Sequence, residues 1–531
     1  MQRETWATKL GVIMAVSGAA VGIGNFLRFP GRAAMYGGGA FMIPYFVSLL
    51  ILGIPICWVE WTLGRHGGRY GFNSAPGILS VAWQSPASRF FGALAVFIPV
   101  VIYMYYVVIE AWCLGYTWIY LTGGPDPGGD PTHYADYFAQ QFNGFIGAGA
   151  DGSLLSGLSP ALVAVVICFA LNFYLIYLGI TKGIEAFCSW AVPGLTLAAV
   201  VVLIRVLTLG TPDPALPDQN VINGLGFMWN PKPLHGGGSF SALWDPQVWL
   251  EAAGQIFFTL GVGFGIIMTY ASYLKKDDDV VLSSLTASAT NEFSEVCLGG
   301  MITIPAAFIF LGALPLEKVA GSSIGLGFHA VPVVFQYLPY GWIFGFLWFF
   351  MLFIAALASS LSMLQPAIAL FEEGFDLGRR AAVALLAGIT GAGTLVVVYF
   401  SRDTVALDVM DFWVGSALLV VLALFEVILF GWVLGADRGI REANRGSDMK
   451  IGRIFIPIIK WICPGYLLLI LVGFAYRNFA DKARAVAAEP AAMFTVAFMV
   501  AVLVFFLWCV RLASRRWDEQ GRFAGVRGID T

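Results

Sequence analysis

Gly18-Ala19-Ala20-Val21-Gly22-Ile23-Gly24-Asn25 and Phe258-Thr259-Leu260-Gly261-Val262-Gly263-Phe264-Gly265 are the two stretches that decide the fold. Each sets several glycines in the middle of a long apolar run. A glycine costs about 1 kcal/mol relative to alanine inside a helix, so two such clusters ask for a physical reason. Close packing between membrane helices is one, because small residues are common at those contacts. The other is a deliberate break. Unwound backbone bares N–H groups at the start of one half-helix and carbonyls at the end of the other, and such groups hold a carboxylate, an ammonium or a small cation. At membrane depth it is tolerable only where it lines a cavity or is buried in protein. Neither cluster is a phosphate-binding loop, since no strand precedes it and no Lys-Ser/Thr follows.

The surrounding chain has 531 residues, of which 59% are hydrophobic and 12% charged, and its mean hydropathy is +0.79. An ordinary soluble domain carries roughly 25% charged residues. The composition excludes a disordered chain, argues against a soluble enzyme and fits a polytopic membrane protein. A net charge of -3 and a pI near 5.9 leave no basic footprint for nucleic acid. A membrane helix needs about 20 mostly apolar residues. Twelve segments qualify, at 8–32, 39–64, 88–121, 160–179, 183–209, 244–272, 282–313, 338–371, 380–400, 404–435, 455–476 and 490–512; they are numbered spans 1 to 12 below.

An even number of spans puts both chain ends on one side. With that side cytoplasmic, the inner segments hold 20 Lys and Arg, including Lys275, Lys276, Arg438, Arg441, Arg445 and Lys450, and the outer loops hold 6, among them Lys318 and Arg402. This satisfies the positive-inside rule and predicts cytoplasmic termini. The glycine clusters fall in spans 1 and 6, the corresponding members of two five-span halves. The prediction is an all-α membrane domain over 1–531, built as a 5+5 inverted repeat with spans 1 and 6 broken at the midplane. The halves cover about 8–209 and 244–435, spans 11 and 12 cover 455–512, and 513–531 forms a cytoplasmic tail. The long outer loop 122–159 is acidic, with Asp126, Asp130, Asp136 and Asp151, whereas Asp277-Asp278-Asp279 reads as solvated turn charge.

The seven cysteines (Cys57, Cys113, Cys168, Cys188, Cys297, Cys463, Cys509) lie scattered in apolar runs and read as packing residues. His66, His133, His235 and His329 have no metal-ligand spacing. Arg3 and Lys9 before an apolar run look like the start of a signal peptide, but no small-residue cleavage site follows, so a retained first helix is expected.

Trp6-Ala7-Thr8-Lys9-Leu10-Gly11 and Ala20-Val21-Gly22-Ile23-Gly24-Asn25-Phe26-Leu27-Arg28-Phe29-Pro30 resemble the neurotransmitter:sodium symporters, specifically the bacterial amino-acid branch. Gly37-Gly38-Gly39-Ala40-Phe41, Gln255-Ile256-Phe257-Phe258-Thr259-Leu260, Asn291-Glu292, Gln365-Pro366 and Met410-Asp411-Phe412-Trp413 extend the resemblance through span 10. It implies sodium-driven uptake by alternating access across the plasma membrane, in a bacterium the inner membrane. The implied partners are an amino acid and the bilayer, with no nucleic acid and no obligatory protein.

By this resemblance, a first sodium site uses the carbonyls of Ala20 and Thr259, the Thr259 hydroxyl, and the side-chain oxygens of Asn25 and Asn291. These are hard oxygen ligands suited to a hard cation, and the substrate carboxylate completes the shell. The two asparagines have an alternative reading as hydrogen-bonding glue between helices. The same carboxylate is expected on the Ile23 and Gly24 N–H groups and the Tyr106 hydroxyl. The ammonium is expected on carbonyls of Ala20, Phe258, Thr259 and Gly261. Amine-transporting relatives carry an aspartate where this chain has Gly22, which favours a substrate with its own carboxylate. Ile102, Tyr106, Phe258, Phe264, Ser360 and Met363 complete an apolar pocket. Gly261 replaces the serine of leucine-transporting members and leaves space for a bulky or aromatic side chain, or else merely relieves local crowding.

A second sodium site, again by resemblance, uses carbonyls of Gly18, Val21 and Ala355 and the Ser359 hydroxyl. Ala358 stands where the family usually offers a threonine or aspartate oxygen, so one ligand is missing and one or two ions remain open. Each charge moved inward gains about 2.3 kcal/mol per 100 mV. Glu295, four residues after Asn291 on the same helix face, supplies the negative charge that chloride gives in other relatives. No chloride is therefore expected, and protonation of Glu295 would give proton antiport. Glu60 and Glu292 are further intramembrane acids, read as holding broken backbone or as taking part in transport. Arg28 with Asp411 resembles an outer gate. Arg3 with Glu373, where aspartate is more usual, resembles an inner one supported by Trp6, Tyr273 and Gln365. Gly183 and Pro193 resemble a family unwinding motif in span 5; an ordinary kink is the alternative. A carrier of another small zwitterion or osmolyte is the competing reading. A channel fits paired broken helices less well, and no nucleophile–base pair or histidine cluster supports an enzyme.

Overall fold

The computed structural model describes residues 5–128, 134–146, 159–234, 236–313, 316, 321–401 and 404–526. Arg3 therefore lies outside the described residues, as do Asp130, His133, Asp151, His235, Lys318 and Arg402. Among the described residues every regular element is a helix, and the one β-pairing is an isolated bridge between Gly38 and Pro231.

Among the described residues ten helices are long and apolar enough to cross a membrane: Gly39–Arg69, Pro86–Leu121, Pro160–Tyr177, Ile180–Leu207, Val281–Leu311, Gly341–Phe375, Arg379–Tyr399, Val405–Val433, Phe455–Ala488 and Pro490–Glu519. They are spans 2 to 5 and 7 to 12. Span 1 is a bent pair, Lys9–Ala20 and Gly24–Met35, with 48° between its halves. Span 6, expected over 244–272, is divided into Pro246–Leu260 and Ile266–Ala271, of 15 and 6 residues. Each piece alone is shorter than a bilayer requires. The chain is a multi-pass membrane protein.

Span 3 forms the centre of the molecule, with 94% of its most apolar window buried, against 28% and 33% for spans 11 and 12. The outer spans leave Trp461, Tyr476, Phe494 and Trp508 exposed. Lipid tails solvate such side chains, so they need no protein partner. Six of the seven cysteines are buried and all seven are free thiols; Cys297 is half-buried.

The loops contain helices that hydropathy does not announce. In the loop 122–159, Tyr134–Ile146 sinks Phe142 and Phe145 onto Trp112 and Tyr116 of span 3. In the loop 210–243, Val221–Trp229 is capped by the Asn220 side chain, which accepts from Asn223 N–H at 2.9 Å. Both are short amphipathic pieces, and their apolar faces show only once there is a wall to cover.

Candidate functional site

The two breaks face each other. In span 1 the first half-helix ends at Ala20, and Val21 turns extended at φ -75°, ψ 98°. The N–H groups freed there find side chains: Gly22 N–H donates to Asn25 Oδ1 at 2.8 Å and Ile23 N–H to the Tyr106 hydroxyl at 3.2 Å. In span 6 the chain passes through Gly261, Gly263 and Gly265 with φ of 66°, 77° and 70°, the left-handed region that favours glycine. Gly263 N–H donates to Glu60 Oε1 at 2.5 Å.

Between the breaks lies a buried node of oxygen-bearing groups. Asn25 Nδ2 donates to Thr259 Oγ1 at 3.1 Å and to Asn291 Oδ1 at 2.8 Å. The Asn291 amide lies 3.2 Å from the Ala20 carbonyl oxygen and 3.3 Å from that of Thr259. Ala20, Asn25, Thr259 and Asn291, the residues expected at the first sodium site, are thus neighbours here, with the Asn25 amide nitrogen turned into the node and its oxygen on the Gly22 N–H. Among the described residues no group of three or more His, Cys, Asp or Glu side chains could hold a metal ion; a node of carbonyls, amides and a hydroxyl suits a hard monovalent cation instead. Behind it, Thr259 Oγ1 also donates to the Glu295 carboxylate, whose other oxygen accepts from Gln255 Nε2. Glu292 is a neighbour of this group rather than a member, accepting from the Tyr45 hydroxyl at 2.7 Å.

A cavity adjoins the node, lined by Ala20, Gly22, Gly24, Tyr106, Phe258, Thr259, Gly261, Phe264, Ser359 and Met363. A methyl group on Gly22 would come within 2.6 Å of the Tyr106 hydroxyl and 3.0 Å of Ser359 Oγ, so a larger residue there collides with both. A methyl on Gly261 would meet nothing within 4 Å. Ile23 faces the vestibule above. Ile102 and Ser360 are fully buried and do not line the cavity. The Ser360 hydroxyl donates to Glu110, which also accepts from Asn172 Nδ2 at 3.0 Å.

For the second sodium site, Ser359 Oγ lies 3.3 Å from the Gly18 carbonyl oxygen and 3.2 Å from that of Ala355, while the Val21 carbonyl belongs to the extended turn. The space around Gly18 is taken by Cys188 Sγ, Val192 and the Ala358 methyl. The position where the family usually has an oxygen thus presents carbon.

A vestibule of about 550 Å³ adjoins the cavity, sharing Gly24, Tyr106 and Phe258 with it, and Arg28 and Asp411 line it. Among the described residues no ion pair joins them. The Arg28 guanidinium lies over the Phe258 ring, 4.6 Å from its centre, and Asp411 accepts from the Tyr105 hydroxyl at 2.8 Å. At the other end Trp6 Nε1 donates to the Tyr270 carbonyl at 2.9 Å and Gln365 Nε2 to the Tyr273 hydroxyl at 3.0 Å. Glu373 accepts from Asn73 N–H at 2.5 Å, Ser74 N–H at 2.9 Å and Ser74 Oγ at 3.0 Å. Gly183 lies in the wide-turned start of span 5, Ile180–Glu185, and Pro193 inside the helix that follows. Glu185 accepts from the N–H groups of Ala7 at 3.0 Å and Thr8 at 3.2 Å, tying span 5 to the start of span 1.

Paired broken helices around a polar node and an apolar cavity define a secondary transporter of the inverted-repeat kind. The chain belongs to the Sodium:neurotransmitter symporter family, whose sequence pattern matches residues 3–124 and 133–518. It is a sodium-coupled transporter, not an enzyme. An uncharacterized sodium-dependent transporter of Methanocaldococcus jannaschii is 31% identical over 466 residues, covering 85% of this chain and 86% of the relative. The Sodium- and chloride-dependent GABA transporter 2 of Bos taurus is 27% identical over 533 residues, covering 91% and 82%. Among solved structures, MhsT in complex with L-phenylalanine superposes with a TM-score of 0.73 at 29% identity, covering 88% of this chain and 99% of that one.

Proposed function

We propose that this transporter imports hydrophobic L-amino acids, bulky or aromatic ones foremost, together with one or two sodium ions. It does so by alternating access of two inverted halves, 8–209 and 244–435, across a bacterial inner membrane with both termini cytoplasmic. The observation that carries this reading is the union of the Ala20, Asn25, Thr259 and Asn291 groups beside a cavity that is open at Gly261. None of those ligands is charged, so a zwitterion whose carboxylate joins the shell supplies the missing charge and binds in proportion to the ion. The crowding of Gly22 by Tyr106 and Ser359 supports a substrate that brings its own carboxylate. The L-phenylalanine complex of MhsT supports a large apolar side chain.

In the same reading, substrate contacts come from Ile23, Gly24, Tyr106, Phe258, Phe264 and Met363. Gly18, Val21, Ala355 and Ser359 form a weaker second ion site, and Glu295 stands in for chloride and carries a proton back. Arg28–Asp411 and Arg3–Glu373 serve as the gates. The test is uptake into proteoliposomes. Phenylalanine, tyrosine, tryptophan and leucine should enter with an inward sodium gradient, with or without chloride, and compete with one another. Preference for glycine or alanine would defeat the substrate assignment, and equal uptake in potassium would defeat the coupling. Glu295→Gln should make uptake require chloride.

A further inference from the structure

Span 3 carries an acid that lines neither the cavity nor the vestibule. Glu110 follows Tyr106 by one turn on the same helix face and is completely buried. Two neighbouring helices reach its carboxyl group. From span 4, Asn172 Nδ2 donates to Oε1 at 3.0 Å and to Oε2 at 3.2 Å, and the Cys168 thiol lies in hydrogen-bonding contact. From span 8, Ser360 Oγ touches Oε2. Ser360 stands next to Ser359 and one turn before Met363, and both of those line the cavity, as Tyr106 does. The contact between Glu110 and Ser360 thus joins the span 3 and span 8 walls of the cavity from behind.

Few hydrogens are available to this group. The Asn172 amide has two, and one is spent on the Cys168 carbonyl at 2.9 Å, which leaves one for Glu110. The Ser360 hydroxyl has a single hydrogen and two acceptors in reach, the Glu110 carboxyl group and the Ala356 carbonyl at 2.7 Å. A carbonyl four residues back is a common partner for a serine inside a helix. Both contacts of Ser360 close only when the acid brings a second hydrogen. No lysine, arginine or histidine among the described residues faces the carboxyl group. Its titratable neighbours are Tyr103, Tyr106 and Cys113 on span 3 and Cys168 on span 4, hydroxyls and thiols that bring no positive charge. A bare carboxylate without a counter-ion is costly at this depth. We propose that Glu110 holds a proton and donates it to Ser360 Oγ, so that a neutral acid pins span 8 to span 3 beside the cavity. Glu110 acts through Ser360 and is a positioning residue. Its proton is separate from any carried by Glu295, whose oxygens are taken by Gln255 and Thr259. The site stands independently of the substrate assigned above.

The experiment is infrared difference spectroscopy of the full-length protein in lipid nanodiscs at neutral pH. Glu110→Gln should remove one protonated-carboxyl C=O stretch from the wild-type spectrum and no carboxylate stretch. Removal of a carboxylate stretch instead overturns the proposal. Ser360→Ala keeps the acid and takes away its acceptor. In that variant the same C=O stretch should remain and move to higher wavenumber, as it does in a carboxyl group freed of its hydrogen bond. An unmoved C=O stretch, or a change confined to the carboxylate region, would show that no proton is aimed at Ser360 and would also overturn the site. Ser360→Ala decides the question alone should Glu110→Gln fold poorly, because it leaves Glu110 and its Asn172 partner in place.

Discussion

Spans 1 and 6 are interrupted at corresponding places by different means. Span 1 bends by 48° without a single residue in the left-handed region; one extended residue, Val21, makes the turn, and side chains of Asn25 and Tyr106 take the freed N–H groups. Span 6 bends through three left-handed glycines within five residues, and at Gly263 and Gly265 a methyl group would press against the backbone carbonyls of Leu419 and Ala95. The first break is held by side chains that also belong to the polar node and the cavity wall. The second is held by backbone shape and by the helices packed around it. The site thus has one wall shaped by side chains and one shaped by backbone.

Substitutions at the two breaks should separate these roles. The largest effect is expected from Gly263→Ala or Gly265→Ala. A left-handed φ and a collision with backbone act together, each worth about 1–3 kcal/mol, and thermal unfolding of the detergent-solubilised protein should show a destabilisation that ligand does not repair. Next comes Asn25→Ala, which removes a node oxygen and releases the Gly22 N–H. Sodium affinity read by thermal shift should fall about 10–100-fold, and a fall confined to stability would show that both walls are structural. Tyr106→Phe removes one hydroxyl from the Ile23 N–H and should weaken substrate binding by about ten-fold with stability nearly intact. Gly261→Ala strains φ but meets open space, so about 1 kcal/mol of stability should be lost while preference in competition assays moves toward smaller side chains. The smallest change is expected from Ala358→Ser, which returns an oxygen near Gly18 and should tighten sodium by a few-fold, about 1 kcal/mol. No change would show that the Gly18 carbonyl is not an ion ligand.

The sequence reads well where the chemistry is local. Apolar runs locate the spans because a bilayer imposes one length on each of them. The glycine clusters locate the breaks because only glycine tolerates what span 6 does. It reads poorly where the partner lies far along the chain. The packing of Leu419 and Ala423 against Gly263 is invisible until span 10 is laid against span 6, and the role of Glu185 until span 5 meets Ala7 and Thr8. Ser360 is three residues from Met363 and reads as a pocket residue, yet its hydroxyl is drawn away by Glu110. Hydropathy also joins 244–272 into a single span, because Val262 and Phe264 keep the average high across a stretch that is not helical.

The Phe258 ring has two faces in use: it lines the cavity and it carries the Arg28 guanidinium. Any tilt of that ring as a ligand settles against it must displace the cation above, and the displaced charge shares the vestibule with Asp411. Occupancy below would then be reported to the entrance by a single aromatic lever, without the ligand ever touching the arginine.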